Sequence, residues 1–154
     1  MIRAENLTVA YGERLILENL NFQVNAGEFV GLLGPNGSGK STLLNAMTGL
    51  VPLRSGTVWY NGTALDDWRP RDLARQVAVV PQFTWIGFPF TCLEVVLMGR
   101  YPYRRRFQRD SAADLEAAQQ ALAETHTTEL ASRLITQVSG GERQLVVLAR
   151  ALAQ

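Results

Sequence analysis

Three residue types that reactive sites often draw on are nearly missing from this 154-residue chain: it holds one cysteine, Cys92, one histidine, His126, and one lysine, Lys40. A lone cysteine excludes an internal disulfide and suits a reducing compartment. No apolar run approaches the roughly 18 residues that a membrane span needs. The nearest, "LVVLARALA", is interrupted by Arg150. The opening "MIRAENLTVAYG" carries no apolar stretch of signal-peptide length. The net charge is +1, so no global field draws the chain toward nucleic acid or an acidic substrate. There is no internal repeat and no low-complexity segment. What is present is a hydrophobic fraction of 47%, enough for a packed core. Of the fifteen cationic residues, all but Lys40 are arginine.

The pattern of apolar residues predicts an α/β protein. "LTVAYGERLILENLNFQV" alternates around a Tyr-Gly turn and reads as two strands, about 2–10 and 15–24. "AGEFVGLLG" reads as a turn and a short buried strand, about 28–33. "KSTLLNAMTGL" has helical spacing from Lys40 and closes at Gly49. "SGTVWYNGTAL" is a hairpin turning at Asn61-Gly62. A short helix, "RPRDLARQ", precedes "VAVVPQ", read as a buried strand ending at Pro81. A Gly-, Pro- and aromatic-rich loop, "FTWIGFPF", follows. Three helices are then predicted, about 91–99, 111–124 and 141–153. Each opens on capping-box spacing: Thr91 with Glu94, Ser111 with Asp114, Ser139 with Glu142. Between the first two lies a basic aromatic loop, "YPYRRRFQR".

"GPNGSGKST", Gly34 to Thr42, has the spacing G-x-x-x-x-G-K-[ST], with an apolar stretch before it and a helix after it. Gly34, Gly37 and Gly39 permit turns with φ > 0 and close approach to an anion. The N–H groups running through Pro35, Asn36 and Ser38 to Thr42 (proline lacking one) then form a nest for phosphate oxygens. The helix start adds the positive end of its dipole. Lys40 brings a compact charge to the outer phosphates, and Ser41 a hydroxyl for Mg²⁺. A loop of this kind serves ATPases, GTPases and small-molecule kinases alike. Guanine-selective relatives usually carry Asn-Lys-x-Asp, which a chain with only Lys40 cannot contain. A kinase gives no reason for "SGGE".

Taken together, the phosphate loop, "VVPQ" ending at Gln82, "VSGGERQ" at 138–144, and Tyr11 in an early strand resemble the ATP-binding subunit of an ABC transporter. The likeness covers the whole chain in the expected order. It implies a P-loop nucleotide hydrolase core with a small antiparallel β subdomain and a helical signature subdomain, the C-terminal part of the core being absent. The β and P-loop part would cover about 1–85 and the helical subdomain about 86–145. It implies ATP and Mg²⁺ as cofactors. Tyr11 would stack on adenine; Gln82 would reach Mg²⁺ and the attacking water. Ser139, Gly140, Gly141 and Glu142 would contact the γ-phosphate of ATP held by a second subunit in a head-to-tail dimer. Val138 stands where the family usually has Leu, and Glu142 where it has Gln; the added negative charge would weaken closure slightly. "TCLEVVLMGRYPYRRRF" is similar to importer ATPases for ferric siderophores, haem and cobalamin. That implies permease subunits, a substrate-binding protein and a place at the cytoplasmic face of the membrane. Arg104, Arg105, Arg106 and Arg109 suit anionic headgroups or a membrane partner; no nucleic-acid fold signature accompanies them.

The resemblance also implies groups that are not here. In the family an Asp and a Glu that order Mg²⁺ and water follow the last helix, and a His further on meets the γ-phosphate. No Asp follows Asp114 and no Glu follows Glu142. His126 precedes the signature segment and reads as a surface residue. The expectation is a fragment of marginal stability that binds nucleotide weakly and hydrolyses it poorly. The competing expectation is a regulatory nucleotide-binding module without turnover.

Overall fold

The computed structural model describes residues 1–82, 86–105 and 109–154. They form two units, Met1–Arg69 and Pro70–Gln154.

The first unit is built on a four-stranded antiparallel sheet. Its strands are β1 (Ile2–Tyr11), β2 (Arg14–Val24), β3 (Ser55–Tyr60) and β4 (Thr63–Ala64), in the order β2-β1-β3-β4. Alternation in the sequence becomes alternation across the sheet, with Ala4, Leu7, Val9, Leu17 and Val58 buried. The hairpin turn falls at Asn61 and Gly62, both with positive φ, as a two-residue connection of this twist requires. Helix α1 (Lys40–Met47) buries Leu43 and Ala46. Tyr60 donates its hydroxyl to the Met47 carbonyl at 2.7 Å, which ties the sheet to the end of α1. Burial pushes this phenol up to about 12.

The second unit is helical. It comprises α2 (Pro70–Leu73), α3 (Cys92–Leu97), α4 (Ala112–Glu124) and α5 (Gly140–Ala153), with a tight 3₁₀ turn, Met98–Arg100, continuing α3. Its core joins Cys92, Val95 and Val96 to Ala118, Ala121 and Leu122 and to Val146, Ala149 and Ala153, so α3, α4 and α5 pack mutually. Val138, the residue that replaces the usual leucine, is buried in this same core. His126 is exposed with φ 56, in the left-handed region just past the end of α4.

Two expected strands are not formed. Residues 28–33 and 77–81 have no regular structure, and most of their side chains are exposed, Phe29 and Leu33 almost completely. An apolar run signals a buried strand, but a strand exists only through a ladder, and neither stretch pairs with another described segment.

Candidate functional site

Helices α3, α4 and α5 all begin with complete capping boxes, whereas α1 begins with none. The Thr91, Ser111 and Ser139 hydroxyls accept from the amides of Glu94, Asp114 and Glu142, and each carboxylate returns to the cap amide. Helix α1 starts instead at Gly39, φ 91, without a side-chain cap and without an acidic residue in its first turn. Its first internal bond runs from the Leu43 amide to the Gly39 carbonyl at 2.8 Å. The amides of Lys40, Ser41 and Thr42 therefore lack an intrahelical partner. A helix left open in this way is a site for an anion, through its unbonded donors and its dipole together.

The loop before α1 is shaped to the same end. Gly37 and Gly39, at φ 81 and 91, hold conformations that a side chain would resist. At Gly39 a Cβ would also meet Leu17 at 2.6 Å. Gly34 also has a positive φ, 158, at the extended edge of the glycine-favoured range. A Cβ there would in addition lie 2.9 Å from the Ser38 hydroxyl. The Lys40 ammonium donates to the carbonyls of Gly34 and Pro35, both at 2.7 Å. Those two bonds, with a longer one to the Ser38 hydroxyl at 3.5 Å, hold the charge over the loop. Asn36 and Ser41 are exposed. Tyr11, at the end of β1, is 52% exposed, so its ring is open to a stacking partner.

The other sequence candidates belong to the second unit. Gln82 is exposed in a bend after Pro81. The Pro81 carbonyl accepts from the Gln144 side chain of α5 at 3.4 Å, a contact not foreseen in the sequence. Ser139, Gly140 and Gly141 are exposed at the start of α5, and a Cβ at either glycine would meet nothing within 4 Å. The backbone there is open to close approach. The Glu142 carboxylate accepts from the Ser139 amide at 2.7 Å, so the charge that departs from the family pattern is engaged within the cap.

In the basic loop, Arg104 pairs with Asp110 at 2.9 Å. Arg71 and Arg75 of the α2 region donate to the Pro102 carbonyl at 2.7 and 2.9 Å. Arg106 and the first part of the aromatic loop, residues 83–85, lie outside the described residues.

The caps carry a pH dependence. Backbone and side-chain hydrogen bonds from Thr91 hold Glu94 below the usual carboxylate range. The Ser111 and Ser139 hydroxyls and amides do the same for Asp114 and Glu142. A depressed carboxylate contributes stability above its unfolded value and loses it as pH falls through the folded one. The ordinary values here are 4.5 for glutamate and 3.8 for aspartate. The thermal midpoint of the helical signal should stay flat down to about pH 5 and fall by several degrees toward about pH 3. Circular dichroism melts across that range check it, with Glu142→Gln expected to flatten part of the decline.

Comparison with known proteins places these features in one family. The sequence profile of the ABC transporter family matches residues 17–154. The hemin import ATP-binding protein HmuV of Nocardia farcinica is 49% identical over 141 residues, which are 92% of this chain and 48% of that protein. The cobalamin import ATP-binding protein BtuD of Halobacterium salinarum is 44% identical over 139 residues, 90% of this chain and 34% of its own length. The chain thus spans about a third to a half of these curated relatives. Among solved structures, a nucleotide-free ATP-binding cassette from an ABC transporter superposes with a TM-score of 0.85 at 28% identity, covering 99% of this chain and 64% of that one. A dimeric bacterial ABC transporter cassette gives 0.81 at 33% identity, covering 99% and 69%.

Proposed function

The chain belongs to the ABC transporter family, and from that premise we propose that it is the ATP-binding subunit of an importer, holding Mg·ATP in the loop from Gly34 to Thr42. The single observation that carries the proposal is the uncapped start of α1 beneath the pinned Lys40 ammonium. Three other helices of the same chain are capped by their own side chains. The open one follows the glycine loop, and its donor set of amides, one ammonium and an exposed alcohol fits a triphosphate with a hard cation. In this reading the amides and Lys40 bind the phosphates, while Ser41 offers its hydroxyl to Mg²⁺. When bound, the cation neutralises charge on the phosphates. Tyr11 stacks on the adenine.

Within the segment Ser139–Glu142, the amides of Gly140 and Gly141 lie outside the capping bonds and form a second, smaller donor set. We assign it to ATP held by another subunit in a head-to-tail dimer. Among the described residues no helix is long and apolar enough to cross a membrane. The proposal therefore includes permease subunits, a substrate-binding protein, and a peripheral position at the cytoplasmic face. The similarity to hemin and cobalamin import proteins supports haem, iron-siderophore or cobalamin as the cargo class.

A second reading is nucleotide binding without turnover. Phosphoryl transfer to water needs the metal held and the water placed as well as the phosphates bound. Isothermal titration of the intact protein with Mg·ATP is expected to give one site per subunit. No heat from a well-folded sample would overturn both readings. Phosphate release at saturating Mg·ATP then separates them.

A further inference from the structure

Gly99 and Arg100 follow the apolar helix within "TCLEVVLMGRYPYRRRF", the stretch similar to importer ATPases. In the structure they meet the far end of α5. A Cβ at Gly99 would lie 2.2 Å from the Arg150 carbonyl oxygen, so the 3₁₀ turn rests directly on the α5 backbone. Beside it, Arg100 Nη1 donates to the Ala153 carbonyl at 2.7 Å. That carbonyl lies in the last turn of α5, where helices run out of internal donors and where a cation meets the negative end of the dipole. Arg100 Nε donates to Asp114 Oδ1 at 3.1 Å, and the guanidinium stacks on Tyr103 with 3.9 Å to the ring centroid. The other Asp114 oxygen is committed to the α4 cap, accepting from the Ser111 hydroxyl at 2.6 Å and its amide at 3.0 Å. The pair is largely dry, with side chains 17% and 9% exposed.

A continuous chain of bonds therefore runs from the start of α4 through Asp114 and Arg100 to the end of α5. The opposite end of α5 is the exposed Ser139-Gly140-Gly141 segment, which has open space around it. The Ser139–Glu142 cap and the buried Val138 join this segment to the first turn of α5, so the seating of the helix sets where the Gly140 and Gly141 amides point. The helix has 14 residues and is about 21 Å long, so a tilt of about 5° at one end displaces the other by about 2 Å. A displacement of that size is enough to spoil hydrogen bonds to a phosphate.

We propose that Arg100 is a positioning residue for the signature segment: by fastening the last turn of α5 to the cap of α4, it fixes the direction in which Gly140 and Gly141 present their amides, and Ser139 its hydroxyl proton, to the phosphate of a partner-bound nucleotide. The inference rests on the functional reading above.

The test measures two quantities in the intact protein: Mg·ATP affinity of the isolated subunit, and ATP-driven association of two subunits by sedimentation. Arg100→Ala is expected to leave the first within about twofold and to weaken the second about tenfold. Arg100→Lys, which reaches one of the two acceptors, should fall between. The double variant Arg100→Ala/Ser139→Ala should associate no more weakly than Ser139→Ala alone, because Arg100 acts through that segment. Equal losses in both backgrounds would mark a merely structural role and overturn the inference. So would a normal Arg100→Ala beside a defective Ser139→Ala. If Arg100→Ala fails to fold, Arg100→Lys and Asp114→Asn carry the same comparison. A wild-type protein that binds no ATP, or binds it without associating, breaks the functional reading itself, and the inference falls with it.

Discussion

Lys40→Ala is expected to weaken Mg·ATP binding by two to three orders of magnitude while leaving the fold nearly as stable as before. The ammonium is the one lysine charge in the chain, and it is held above the loop by the Gly34 and Pro35 carbonyls. A hydrogen bond to a charged group contributes about 1.5–3 kcal/mol, and with the lost Coulomb attraction to the phosphates the variant gives up about 3–4 kcal/mol. Each 1.4 kcal/mol is about tenfold in affinity. The released carbonyls lie on an exposed loop where water can replace the ammonium, so little stability is lost. Lys40→Arg should also bind poorly, since a planar fork cannot stand in for a compact ammonium between two carbonyls. Titration calorimetry measures the loss and a thermal melt confirms the fold. Wild-type affinity in Lys40→Ala would remove this loop from the binding site.

A large loss of stability is expected at Gly99→Ala. The obstructing atom, the Arg150 carbonyl oxygen 2.2 Å from the new Cβ, belongs to the α5 backbone and cannot swing aside. Overpacking a well-filled site costs about 1–3 kcal/mol when side chains can adjust, and the upper end or beyond applies where they cannot. For a unit of this size that lowers the melting midpoint by about 10–20 °C. Gly141→Ala is the contrasting case, because its Cβ enters open space. It should stabilise α5 by about 0.5–1 kcal/mol, the usual gain of alanine over glycine within a helix. Parallel melts of the two variants check both signs. A Gly99→Ala protein that melts like wild type would mean that the 3₁₀ turn does not rest on α5.

How far the sequence could be read depended on how local each signal was. The capping boxes at Thr91, Ser111 and Ser139 each need four adjacent residues, and all three start helices as expected. The Asn61-Gly62 turn and the alternation of β1 and β2 are local in the same sense. The stretches 28–33 and 77–81 failed because apolar composition says what a segment would bury and not which segment will pair with it. The glycine loop was legible from its spacing, and Gly34, Gly37 and Gly39 all take the positive φ that the spacing called for. The use of Gly99 and Arg100 was hidden for a related reason. Their partners, Arg150 and Ala153, lie about fifty residues away, and nothing in "MGRYP" names them.

The bare start of α1 makes the fold and its occupant interdependent. Three helices in this chain are finished by their own serine or threonine, while α1 is left without such a cap. On the proposed function, a nucleotide is the absent N-cap. No side chain can be installed before Lys40 to replace it, because Gly39 holds φ 91 and a Cβ there would meet Leu17 at 2.6 Å. The robustness of the β unit in a cell would then track the supply of nucleotide around it.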